Sequence, residues 1–432
     1  MGTGGMVGAA GASGTAGASG TAGASATGTG GAVGGGPGGS VGGGPGGSVG
    51  GTTSDGGMNP DEGGADRRPD PGDAGPFYPL DMNDVTILVP LPASSATPVL
   101  LRGTDLADDG TALVPRALFD RLVMKETDSS GPILMPATHG RLQLVAVRFD
   151  LCDRHLPGVC PEAEDAQMRL VFQPIHSDGL AQDVGFHAFY AIRNDEIAGA
   201  VAALRDLARS VPPQTGMLRV SPALSAANPE RYAIQLRAFV KRYGGEARLI
   251  RLTVNAQPEI FAAVRWELRG VEKKGDAFVD MTIVGSTAIS ESVFLGASYD
   301  VKPVTDTPSG FLGAITRNIF DAADLTKKRE SLEALVAVEN PLSHTPETVA
   351  CVACHVSTVV MNARAPNSGI DPLTLPGRYT SKFDLSTAGG KSIESTAIRA
   401  LGYIARLPLI SQRVVNDTAQ TLTELEQRYP PP

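Results

Sequence analysis

The chain is poor in the residues that carry most metal and redox chemistry. It holds four cysteines, six histidines and one tryptophan in 432 residues. Four cysteines are too few for a disulfide-dense framework. No apolar run approaches the roughly 20 residues that a membrane-crossing helix needs. No basic segment leads into an apolar stretch in the manner of a secretory signal. Met1-Gly2 fails the myristoylation pattern, because position 6 is Met6 and not Ser or Thr. Basic residues do not gather either. With 37 Lys and Arg against 46 Asp and Glu the formal net charge is −9. No Lys/Arg cluster is interleaved with aromatics, which argues against nucleic-acid binding; the acidic balance otherwise bears only on solubility.

This scarcity gives weight to the placement of what is there. Val349-Ala350-Cys351-Val352-Ala353-Cys354-His355 uses two of the four cysteines and one of the six histidines. Two thiols separated by two residues can span a porphyrin edge, each adding across a vinyl group to form a thioether. The imidazole that follows directly turns beneath the ring and reaches the iron. On Cys351, Cys354 and His355 alone, the segment resembles the c-type cytochromes. The resemblance implies one covalent haem c, with His355 as proximal iron ligand, and single-electron transfer with a redox partner protein. In ordinary monohaem cytochromes c a methionine well downstream supplies the second axial ligand, and here this sequence departs from the family. The only later methionine is Met361, and no histidine follows His355. On a helix over 352–363, Met361 stands about 240° around the axis from His355, which assigns it to the core. The second ligand is expected upstream, from His187, His344 or a methionine, from a lysine or tyrosine, or is missing.

Other chemistries also use C-x-x-C. A redox disulfide usually sits at a strand-to-helix turn, whereas residues 340–346 are polar and broken by Pro341 and Pro346. A structural zinc site takes four ligands, often as two separated pairs, and Cys152 and Cys160 are too far apart to be the second pair. With Cys351 and Cys354 assigned to haem, Cys152 and Cys160 remain, separated by a seven-residue loop containing Pro157-Gly158. A disulfide between them is expected, in keeping with the oxidising compartment in which bacteria attach haem c; the alternative is two free thiols. Two rival functions stay open. One is a peroxidase-like enzyme with an open iron site. The other is a non-haem surface binding protein stapled by a zinc or disulfide site.

Residues 1–75 are Gly/Ala/Ser/Thr-rich, with GASGTA repeated at 11–16 and 17–22 and VGGGPGGS at 33–40 and 41–48. They read as a disordered tether with almost no apolar bulk to bury. Glycine keeps no strict three-residue period, which excludes collagen. Such tethers resemble those behind the lipid-bearing cysteine of bacterial surface lipoproteins. The expectation is a true start upstream of Met1, with a lipid anchor as the one membrane contact and a periplasmic or cell-surface location. A cytoplasmic protein with a disordered tail is the alternative.

Residues 76–318 read as an α+β body with a mixed or antiparallel sheet. Alternating strand-like runs at 141–151, 168–174, 183–192 and 247–254 are interspersed with amphipathic helices at 194–211 and 229–241. A strand is expected at 84–91, another at 217–220, and a hairpin across 261–284. Residues 319–432 read as a mainly helical, haem-bearing segment, with helices at 321–339, 351–363, 393–406 and 411–429. The body exceeds what holding a haem requires, which suggests a ligand or partner of its own. Within it His187 sits mid-strand, as a distal iron ligand or proton donor, or as a core histidine. His139 and His155 read as solvated loop residues and Trp266 as a core anchor. A calcium loop at 105–110 fails because Ala107 takes a ligand position and the closing glutamate is missing. A phosphate loop at 389–392 fails for want of a glycine at Leu385.

Overall fold

Alternation of side chains along extended segments builds an antiparallel sheet of eight strands. These are β1 (Thr86–Leu88), β2 (Leu142–Leu151), β3 (Ala166–Pro174), β4 (Val184–Ile192), β5 (Leu249–Ala256), β6 (Arg265–Lys274), β7 (Ala277–Asp280) and β8 (Ser290–Phe294). Strands β1 to β7 adjoin in chain order, so β4 lies at the centre. The long β6 pairs with β7 through its second half and with β8 through its first. The structure is a computed structural model that describes residues 79–93, 100–122, 136–151, 166–256, 265–294, 310–387 and 400–430. All of them belong to one compact unit, Pro71–Pro432. The helices are α1 (Met82–Val85), α2 (Arg116–Leu122), α3 (Ile197–Arg209), α4 (Glu230–Tyr243), α5 (Gly310–Ile315), α6 (Arg317–Ala322), α7 (Leu325–Glu339), α8 (Cys351–Ser368) and α9 (Gln412–Arg428). The protein is therefore α+β, with every described strand pair antiparallel. No described helix is long and apolar enough to cross a membrane.

The period of two in a strand sends neighbouring side chains to opposite faces. On one face Met168, Leu170, Phe172, Phe186, Ala188, Tyr190, Leu252 and Val254 form the main core with Phe119 of α2, Leu204 of α3 and Leu236 of α4. Phe186 stacks obliquely on Phe119 with ring centroids 5.2 Å apart. Each of the Leu, Val, Met and Phe side chains contributes about 1.5–3 kcal/mol on burial. The other face of these strands and of β2 carries Arg148, Arg169, His187, Thr253 and Asn255, which the strand registers put on one side in successive rows. Helices α7, α8 and α9 gather around this second face. Asp324 caps α7 by accepting from the Lys327 amide, and Ser411 caps α9 by accepting from that of Val414. The last carbonyls of α7 are taken by α9 side chains: Arg413 donates to Val338 O at 2.8 Å and Asn416 to Glu339 O at 2.9 Å. This answers the unsatisfied groups of a helix end.

Several expectations need correction. The helix over 393–406 gives way, in its described part, to a hairpin of β9 (Leu401–Ile404) and β10 (Leu407–Ile410). The Gln173 side chain of β3 holds both backbone groups of Tyr403, accepting from its N and donating to its O, and the Tyr403 hydroxyl donates to Val89 O. Those bonds favour the extended form over the helical spacing of Leu401 and Ile404. Ala405 turns the hairpin with φ of 51°. The strand at 217–220 reduces to isolated bridges, at Leu218 and Val220. The strand at 84–91 begins as the short helix α1, because the Asp81 and Asp84 carboxylates cap it reciprocally. His139 is not solvated: it is buried against Phe119, with Nε2 2.8 Å from Val114 O. Trp266 is fully buried in a second core with Val293 and Phe311, as a core anchor should be.

Candidate functional site

Helix α8 begins at Cys351, where Ala350 supplies no side-chain cap. The missing cap comes from tertiary structure: the Glu291 carboxylate of β8 accepts a 3.1 Å bond from the Val352 amide. A negative group at this end also suits the helix dipole. Positions i, i+3 and i+4 of a helix share one face, so Cys351, Cys354 and His355 all point the same way. They face the polar side of the sheet. There the ring of His187, from the central strand, stands 5.9 Å from that of His355, centroid to centroid, with the ring planes at 70°.

These four residues line one cavity of about 280 Å³, whose walls include the apolar Leu268, Met281, Ile283, Val349 and Val414. Cys351 and Cys354 are free thiols. Burial pushes the Cys351 thiol up to about 12 and that of Cys354 up to about 11. Both are therefore neutral at pH 7, unlike the depressed thiolates of reactive cysteine pairs.

A second cavity of about 180 Å³ adjoins the first and shares Arg169, Arg251, Glu347, Arg413 and Asp417 with it. On α9, Arg413, Asp417, Gln420 and Glu424 form a polar stripe at helical spacing that turns towards this space. The stripe meets the charged row of the sheet. Asp417 pairs with Arg413 at 2.8 Å and with Arg148 at 3.4 Å. Asp150 pairs with Arg148 and, at 3.2 Å, with Arg169; Arg251 pairs with Glu347 at 3.2 Å. Burial works to raise the Asp417 carboxyl, but Arg413, Arg148 and Arg169 hold it below its ordinary 3.8. Burial lowers the Arg169 guanidinium, against the opposing pull of Asp150. The charges are thus mutually compensated, with Arg148, Asp150, Arg169, Arg413 and Asp417 largely removed from water and the Arg251–Glu347 pair closer to it.

Of the expected site residues, the structure brings together Cys351, Cys354, His355 and His187. His344 is buried but does not line either cavity. Met361 belongs to the second core. Cys152, Cys160 and His155 lie outside the described residues, as does the 389–392 segment. Asn255 and the arginines were missed. Their signal was present as polar residues at every second position of strands buried on both faces. Among the described residues, no group of three or more His, Cys, Asp and Glu is placed to hold a metal ion. Comparisons of the chain with protein-family models, with curated proteins and with solved structures found no match.

Proposed function

We propose that this cavity holds one haem c, bound covalently through Cys351 and Cys354 and ligated axially by His355 and His187, and that the protein transfers single electrons. The observation that carries the reading is the pair of neighbouring imidazoles, set edge-on to each other, within the cavity that holds both thiols. Two metal–imidazole bonds of about 2 Å each put ring centroids roughly 6 Å apart, close to the 5.9 Å found. When bound, haem supplies reversible one-electron chemistry whose potential is set by axial ligands, hydrogen bonds and burial. His355 rides on a helix start anchored by Glu291, and His187 on the central strand, so both rings are held by rigid elements. Leu268, Met281, Ile283, Val349 and Val414 offer an apolar wall against which a porphyrin could pack.

Two observations weigh against the rivals. His187 stands where an open iron site would be needed, which favours electron transfer over a peroxidase-like enzyme. A zinc staple needs four ligands, and the described residues assemble no such group, whereas haem iron takes only two protein ligands. The reading carries with it an exported location and an unidentified redox protein as partner.

The test is a pyridine haemochrome spectrum of protein made in the periplasm with the haem c maturation machinery, beside Cys351→Ala/Cys354→Ala. The expected outcome is a c-type band that survives denaturation and is lost in the double variant. The intact protein should be low-spin and six-coordinate, becoming high-spin in His187→Ala. No band in either sample would end the haem reading. A high-spin intact protein would move the function to a haem enzyme.

A further inference from the structure

We infer that Asn255 positions the bound cofactor by donating a hydrogen bond from Nδ2 to one of its carboxylate side chains, an inference that rests on the haem reading above. Asn255 lies on β5, lines the cavity and is 2% exposed. Neither Nδ2 nor Oδ1 of its amide has a hydrogen-bond partner. Strand register supplies the reason: its partners are Gly185 on β4 and Leu268 on β6, and neither side chain can bond to an amide.

Register also places it diagonally from His187, whose partner on β5 is Thr253 two residues before Asn255. Its side chain therefore emerges on the same face as the imidazole, towards the space shared with His355. An unpartnered buried polar group costs about 1–3 kcal/mol, and most buried polar groups are satisfied. Gln173, buried on the neighbouring β3, shows the ordinary outcome, with bonds to Tyr403 and Gln182. Asn255 departs from that rule only where the cavity opens. Carboxylates are the hydrogen-bonding substituents of haem, and an amide N–H matches them without adding a buried charge.

The experiment compares Asn255→Leu with the parent chain, with and without haem attachment. In the unloaded protein the substitution removes an orphan amide, and the thermal midpoint should rise by a few degrees. In the loaded protein it removes a contact, and the midpoint should fall. Shifts of the same sign in both states would make Asn255 a structural residue only and overturn the inference. A second readout uses loaded protein alone: the resonance Raman bands of the cofactor's carboxylate side chains should move in Asn255→Leu. An unchanged spectrum also overturns it. Absence of a covalent band in the parent chain would remove the haem reading itself, whereas a band with same-sign shifts removes the Asn255 assignment alone.

Discussion

Strand β4 is buried along its whole length, yet its two sides belong to different kinds of interior. Val184, Phe186, Ala188, Tyr190 and Ile192 enter the main core, while His187 looks into a cavity bordered by arginines and thiols. On the first side, burial is favourable without any particular neighbour, in rough proportion to apolar area. On the second, every charge needs a specific opposite charge, because removing an ion from water costs several kcal/mol. The comparison shows that burial alone does not mark a core. The face that depends on exact pairing is the one with room for a ligand, and it is where an amide is left waiting.

The sharpest break of the apolar face is Phe186→Ala, which should cost about 3–5 kcal/mol in denaturant unfolding, as for other buried aromatics. A loss below 1 kcal/mol would show that this side is not closely packed. The charged face is broken by Asp417→Ala, which strips compensation from Arg413 and Arg148 and should cost about 3 kcal/mol. The double variant Arg413→Met/Asp417→Leu should lose less than Asp417→Ala alone, because it leaves fewer uncompensated charges. Losses that simply add would show that the pairs act separately.

The same face should respond to pH. The folded pKa of Asp417 lies below its ordinary 3.8, so its contribution is present above that value and is lost as pH falls through the depressed one. The stability gap between the parent chain and Asp417→Asn should narrow on acidification below about pH 4; a gap that widens would reverse the assignment. The smallest effect belongs to neither face. Arg317 and Asp321 form an i,i+4 pair whose side chains are 68% and 57% exposed. Arg317→Ala should change stability by no more than about 0.5 kcal/mol, and a larger loss would mean that α6 is held by more than its own packing.

Much of this was legible in the chain. Ile197, Val201 and Leu204 announced α3, and Leu236 with Val240 announced α4, because an amphipathic helix repeats its apolar side every three to four residues. Strands β2 to β5 were legible from β-branched and aromatic residues at alternate positions. The failures share one cause. Leu401 and Ile404 fit a helical spacing as well as a strand, and only Gln173, far away in the chain, settles the matter by binding Tyr403. His139 looked like a loop residue because nothing local shows that Phe119 and the Val114 carbonyl come to meet it.

By itself the sequence determined what is local. It placed Cys351, Cys354 and His355 on one face of a helix, because residues three and four apart share that face. It put Ser411 where a helix begins, and it set the alternation that makes β4 a strand; the helix expected from 321 begins instead at Leu325, behind the Asp324 cap. Only the tertiary structure decided that His187 would stand opposite His355, that Glu291 would cap the helix carrying both cysteines, and that Asn255 would lie between Gly185 and Leu268. Those outcomes depend on strand register and on how α8 and α9 dock. Both are set by packing between segments remote in sequence, about which a local pattern carries no information.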